Sequence, residues 1–330
     1  MFHESSLRGK KRMTSKFVVS LFTALLVFAI SVLPAAAATP EKTVNASATL
    51  AFNLKGLAHN VVVQKAYIAD KYVYVTQRSG GNCHLSRLLI DGTDATFVDK
   101  MTITNTGHCQ TLDMYTYNGV NYFYFSSKAD PSTTYYWSLQ VARVQYQAGT
   151  TLDYTDLHRF TYMNYANKNG TRLGETYRVD GGGNSNYTLF RVQTTEGTVT
   201  WSIYDTVALN KLLDSNEQVQ MNSTAAKNAA VSSFTQSGSN IVRPNGSFQG
   251  LDMLDKTKIF TSGGGDGQTP QIAMMTGSGT YKTLVKITNV GNREIEGVQT
   301  KDGRVYFTIV PDPTNKQNTQ KIYYVPDTIF

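Results

Sequence analysis

Residues 110–127 read Gln110-Thr-Leu-Asp113-Met114, a turn, then NYFYFSS from Asn121; residues 249–264 read Gln249-Gly-Leu-Asp252-Met253, a turn, then KIFTSGG from Lys258. In each, a polar residue leads a short strand, and a tight turn leads to a second strand of alternating aromatic and β-branched residues, the pattern of a half-buried strand. Looser copies start at Gln64 (QKAYIADKYVYVTQ), Glu175 (ETYRVDGGGNSNYTLFRV) and Glu296 (EGVQTKDGRVYFTI). Asp91-Gly92, Asn118-Gly119, Asn169-Gly170 and Asp302-Gly303 are turn signals. At least one further strand follows each copy, over 85–91, 137–146, 199–204, 270–275 and 320–326.

Five copies of one start predict an all-β, five-bladed β-propeller forming a single domain. The last copy is one strand short. A strand over 45–54 is expected to complete it, so that N- and C-terminal strands share a blade and the ring has no open edge. One helix is expected, over 205–217, with Val207, Leu209, Leu212 and Leu213 at helical spacing.

The chain has 330 residues and a formal net charge of +7, much of it at the front. Arg8, Lys10, Lys11, Arg12 and Lys16 precede an uncharged stretch from Phe17 to Leu33, then Pro34 and four alanines. That order predicts a secretory signal over 1–38 and an exported product over 39–330. The product would carry 26 basic and 23 acidic residues. It has no second long apolar run, so no stable membrane span is expected after cleavage.

Export gives meaning to the two cysteines. An even count in a secreted chain points to a Cys83–Cys109 disulfide closing a loop of about 25 residues. His84 and His108 adjoin them, which leaves zinc, a cysteine nucleophile or two free thiols as the other readings. Adjacent residues on a strand point to opposite faces, which disfavours a shared metal.

Several stretches, in order, resemble the helveticin J-like class III bacteriocins. They are Val61-Val-Val-Gln64-Lys65 with Lys71-Tyr-Val-Tyr74, Gly107-His108-Cys109-Gln110-Thr111, Gln140-Val-Ala-Arg143-Val144, Phe248-Gln249-Gly250-Leu251-Asp252 and Glu294-Ile-Glu296-Gly-Val-Gln299. The resemblance implies a large, heat-labile antibacterial protein that kills related Gram-positive bacteria without a recognised hydrolase motif. Its expected partner is a cell-surface glycan or wall polymer, with an immunity protein as a second.

Enzyme motifs are missing. The sequence has no HExxH, no GxSxG elbow, no GxxxxGK[ST] and no histidine pair at chelating spacing, so neither a metal nor a cofactor is expected. The one positive constellation comes from the repeat. The first strand of each blade lines the axis, so Gln64, Gln110, Glu175, Gln249 and Glu296, with Asp113 and Asp252, are expected to form a ligand-binding ring of amides and carboxylates. Two such acids would also suit a propeller glycosidase. The aromatics Tyr115, Tyr117, Tyr135, Tyr136, Trp137, Tyr154, Tyr162 and Tyr165 offer a glycan platform or inter-blade packing. A lectin-like adhesion module is the alternative function. The bases are scattered rather than interleaved with these aromatics, so no nucleic-acid partner is expected.

Overall fold

A computed structural model describes residues 38–330, except 311 and 313. The predicted signal segment thus lies outside the described residues, apart from Ala38. The described chain is all-β, as the alternation requires, and its strands form four hydrogen-bonded sheets.

The first sheet has antiparallel strands Leu112–Tyr117, Val120–Ala129, Ser138–Val144 and His158–Thr161, with Gln218–Gln220 added parallel outside. The second holds Thr176–Gly183, Tyr187–Thr194, Val199–Asp205 and Ala230–Gln236. Gly250–Asp255, Lys258–Gly263, Gln271–Thr276 and Tyr281–Ile287 form the third, again with a parallel outer strand, Lys42–Ala46. The largest sheet runs Ile295–Lys301, Arg304–Ile309, Lys321–Pro326 and Thr49–Lys55. It then crosses a short parallel pairing of Asn53–Lys55 with Asp94–Thr96 into Asp94–Thr104, Asn82–Asp91, Tyr72–Ser79 and Val63–Ile68. The single strand expected over 45–54 is therefore two strands, which serve different sheets. Thr49–Lys55 pairs antiparallel with Lys321–Pro326, joining the chain's two ends as the short last repeat demanded.

The turns follow their residues. Asn118 (φ +50°) and Gly119 (φ +77°) close the two-residue hairpin between Tyr117 and Val120. Positive φ at both positions fits the right-handed twist of the flanking strands. The expected helix is Thr206–Ser215, capped by the Asp205 carboxylate, which accepts from Ala208 N at 2.8 Å. Its buried face is Leu209 and Leu213, one turn apart, while Val207 is exposed. A second helix, Thr224–Ala229, was not anticipated.

The first strands are ordered in a cycle. Val63–Ile68 packs on Leu112–Tyr117, that on Thr176–Gly183, that on Gly250–Asp255, that on Ile295–Lys301, and the last returns to Val63–Ile68. The apolar core lies between successive sheets. Phe123 and Phe125 meet Tyr74 and Leu85; Tyr124 and Phe160 meet Phe190 and Leu209; Leu189 and Trp201 meet Met253 and Ile259; Phe260 and Ile272 meet Val298 and Phe307; and Ile322 meets Val73 and Leu88. Each sheet thus buries both faces, which explains strands such as VTWSIYD with hardly an exposed position.

Candidate functional site

The five first strands converge on an axis that is filled. Lys65, fully buried, reaches across it. Its Nζ lies 2.7 Å from Asp113 Oδ1 and donates to the Leu251 carbonyl at 2.8 Å. Burial pushes the Asp113 carboxyl well above the usual carboxylate range, while Lys65 and the Gly183 N–H pull it back. Room for the lysine comes from glycine. A Cβ on Gly297 would sit 2.7 Å from Lys65 Cγ, and one on Gly250 would sit 2.6 Å from Gly297 Cα.

Around this plug, side chains tie several first strands to their neighbours. Asp113 Oδ2 accepts from Gly183 N at 3.1 Å, Asp252 Oδ2 from the Thr300 N–H and hydroxyl, and Gln299 Oε1 from Ile68 N at 2.7 Å. Asp113 and Asp252, expected as ligand groups, are thus spent on neighbouring strands. A carboxylate accepting backbone N–H groups is a structural clasp.

One layer along the axis, Gln110 donates to Gln249 Oε1 at 3.4 Å and accepts from the Arg178 guanidinium. Gln249 donates to Glu294 at 3.2 Å. Gln64 and Glu296 are buried in equivalent places, and Gln64 Oε1 and Glu296 Oε2 have no hydrogen-bond partner in the structure. Burial, reinforced by Glu294, raises the Glu296 pKa strongly, which favours the neutral acid. Six of the seven expected ring residues are therefore gathered near the axis.

Glu175 is the exception and corrects the expected register. It is 68% exposed and paired with Arg172 outside the cluster. Gly181 N donates to Thr111 Oγ1 at 2.9 Å, which sets Asp180 level with Gln110 and puts Arg178 and Asp180 in the layer assigned to Glu175. The Gly181-Gly-Gly183 triplet was the available signal, because a Cβ at Gly182 would meet Asp113 Oδ2 at 2.4 Å. Lys65 and Gln299 were also missed, although each stands in a repeat copy.

Glu175 instead lines a cleft of about 470 Å³ with Gln140, Thr161, Tyr162 and Gln218. That size is within the usual range of small-molecule pockets. Tyr162 is 53% exposed and sits at φ +54°, ψ +44°. A bulky residue held there costs about 1–2 kcal/mol and commonly marks a functional surface. Gln140 and Thr161, two of the lining residues, each carry a buried side-chain oxygen without a partner. Of the other expected platform residues, Tyr115 and Tyr117 pack inside, bonding Asn210 at 2.8 Å and Asp214 at 3.0 Å.

Cys83 and Cys109 are free, buried thiols. Burial, with Cys109 beside it, pushes the Cys83 thiol well up, so neither a nucleophile nor a metal ligand is favoured. Among the described residues no group of three His, Cys, Asp or Glu side chains gathers as a metal site.

Two histidines make the fold acid-sensitive. Burial and the Arg178 charge hold His108 down at about 3, and burial with the His59 and Lys100 charges holds His84 at about 4, against an ordinary 6.5. Between those values the unfolded chain binds protons that the folded chain refuses. Their contribution to stability is full above about pH 6.5 and falls as pH drops toward 4. The slope is at most about 1.4 kcal/mol per pH unit from His108, and less from the half-exposed His84, which water screens. Urea midpoints from pH 7 to 4.5 measure this; a flat profile contradicts it.

Sheets packed face to face in cyclic order, with a sealed axis and clefts outside it, define an all-β scaffold. The chain belongs to the helveticin-J bacteriocin family: the sequence model of that family, described as bacteriocin helveticin-J, matches residues 42–301. No curated protein sequence matches the chain. Solved structures with similar folds include a hypothetical protein from Leishmania major (10% identity, 85% of this chain and 90% of that one, TM-score 0.42). A GH43_1 enzyme from Xanthomonas citri is 11% identical over 84% of this chain and 89% of its own, with a TM-score of 0.36. The WD40 domain of Toxoplasma gondii coronin is 10% identical, with 88% of each chain covered and a TM-score of 0.34. Likenesses this distant carry no argument about activity.

Proposed function

We propose that this protein is a secreted bacteriocin that docks on a surface glycan or wall polymer of related Gram-positive bacteria and kills by a non-hydrolytic step. The observation that carries this reading is the family match over residues 42–301. The docking site is the Tyr162 cleft. It combines an exposed aromatic ring, unpartnered buried acceptors and the Glu175 carboxylate, the chemistry that sugar hydroxyls and ring faces complement.

The scaffold reads as a five-bladed propeller. The largest sheet divides at its short parallel pairing into two four-stranded blades, which with the other three sheets supports five. The signal over 1–38 delivers it outside the cell. There Cys83 and Cys109 form a disulfide, each thiol losing a hydrogen to an external disulfide oxidant, which is reduced to two thiols. Mass spectrometry of the secreted protein should then show about 2 Da less than the reduced chain; two alkylatable thiols after denaturation would refute the bond.

A glycosidase is disfavoured by the axis, where Asp113 and Asp252 are clasped between strands. Incubating the purified protein with walls of a sensitive strain tests both readings. Clearing of live lawns without reducing-sugar release is expected. Sugar release would establish an enzyme, and folded protein that binds walls without clearing any lawn would establish an adhesion module.

A further inference from the structure

We infer that a second pocket, walled by Trp137, Tyr177 and Phe248, floored by Arg191 and with Arg243 at its mouth, binds a phosphate group. Resting on the reading that the partner is a wall polymer, it follows that the polymer carries phosphate. The pocket holds about 170 Å³, room for about five or six waters at ~30 Å³ each.

Its charge does not balance. Arg178 and Arg191 are both buried, and both lean on one carboxylate, Asp180, at 2.9 Å and 3.1 Å. Arg243 is exposed at the mouth, and among the described residues no carboxylate pairs with it. Of the other acids, Glu294 and Glu296 have their pKa values raised, chiefly by burial. Arg191 itself is lowered to about 9, chiefly by burial, with Arg178 and Arg243 adding repulsion that Asp180 only partly offsets.

Packing alone does not explain the arrangement. Arg178 stacks 4.0 Å from the Trp137 ring, and its nitrogens are bonded to Asp180, Gln110 and the Phe248 carbonyl. Arg191 lies 3.9 Å over Phe248, bonds Gln193 at 3.1 Å, and leaves its buried Nε without a partner. An anion at the mouth would meet the Arg243 fork, with the Arg191 charge beneath it. Guanidinium forks match phosphate oxygens pairwise, and the aromatic walls suit the carbons of an attached sugar or polyol.

The pocket also adjoins the cleft along the chain. Trp137 and Tyr177, joined by a 3.0 Å hydrogen bond, line the pocket, while Leu139 and Thr176 line the cleft. A polymer crossing that ridge fills both.

The test is NMR titration at low salt into the purified protein of glycerol phosphate, followed by its phosphorus line, with glycerol and acetate, followed by their proton lines, as comparison ligands. Saturable broadening is expected with glycerol phosphate alone. Arg243→Gln, an exposed change that spares the fold, should weaken it about tenfold, as loss of a charged hydrogen bond does. Lys211→Gln, an exposed helix residue, should not. No saturation, equal binding of acetate, or equal weakening by Lys211→Gln would overturn the inference. Phosphate also occurs on lipid headgroups, so walls before and after acid stripping of their phosphate polymers are compared with phosphatidylglycerol vesicles. Retention by unstripped walls only is expected; retention by stripped walls or by vesicles alone overturns the polymer assignment. Lawn clearing by a protein that fails to bind phosphate would sink this inference and leave the bacteriocin reading standing. Phosphate binding without clearing would do the reverse.

Discussion

Lys65→Met is expected to lower the unfolding free energy by about 3–5 kcal/mol, the usual cost of removing one partner from a buried ion pair. The variant strands Asp113 at the axis among packed strands, with only the Gly183 N–H left to it. Two further results follow. The double variant Lys65→Met, Asp113→Leu should recover most of the loss, because an apolar plug leaves no uncompensated charge. The single variant should gain stability, relative to the parent, as pH falls from 7 to 5. Without Lys65 the Asp113 carboxyl holds its proton in the folded state at pH values where the unfolded chain releases it, and that stabilisation fades as pH rises. Denaturant midpoints of the three proteins settle the matter. A single variant within 1 kcal/mol of the parent would mean that the axis is wet.

Gly250→Ala is expected to cost about 3 kcal/mol, the upper end of the overpacking range, from one added methyl. The new Cβ would fall 2.6 Å from Gly297 Cα, which is backbone and has no rotamer to give. Relief requires the Gly250–Asp255 and Ile295–Lys301 strands to part, and their closeness is what lets Lys65 reach Leu251. The same change at Gly119, whose Cβ would meet nothing within 4 Å, costs only the strain of its positive φ. Thermal midpoints of the two variants should rank Gly250→Ala well below Gly119→Ala; the opposite order would contradict the packed axis.

The strands and their turns were legible because alternation and Asn-Gly or Asp-Gly pairs are local signals. The cyclic order was legible only through the repeated Gln-x-Leu-Asp start, which placed Gln110, Gln249, Asp113 and Asp252 correctly. It failed at Glu175, where a register shift between Thr176 and Arg178 throws the count off, so that Arg178 and Asp180 occupy the layer instead. The sequence also could not reveal that the axis is closed. That depends on Lys65 meeting an aspartate 48 residues later and a carbonyl 186 residues later. Nor could it locate the cleft, whose lining comes from separate strands and a turn where Tyr162 takes a left-handed conformation. Trp137, expected as part of one tyrosine-rich platform, instead walls a pocket whose arginines lie up to about 100 residues away in sequence. Alternation marks faces but not which sheets meet.

The claim that recognition occurs at the outer cleft and not along the axis is tested most directly by minimum inhibitory concentrations of three purified, folded proteins on one sensitive strain. They are the parent, Tyr162→Ala and Glu296→Gln. Tyr162→Ala removes the exposed ring and leaves the backbone strain unchanged, because the Cβ stays, so it should fold about as well yet need about tenfold more protein to clear a lawn, the loss of ~1–1.5 kcal/mol of stacking. Glu296→Gln exchanges a buried acid, whose pKa burial raises, for its near isostere and should kill like the parent. Unchanged killing by Tyr162→Ala together with lost killing by Glu296→Gln would move the site back to the axis and contradict the account.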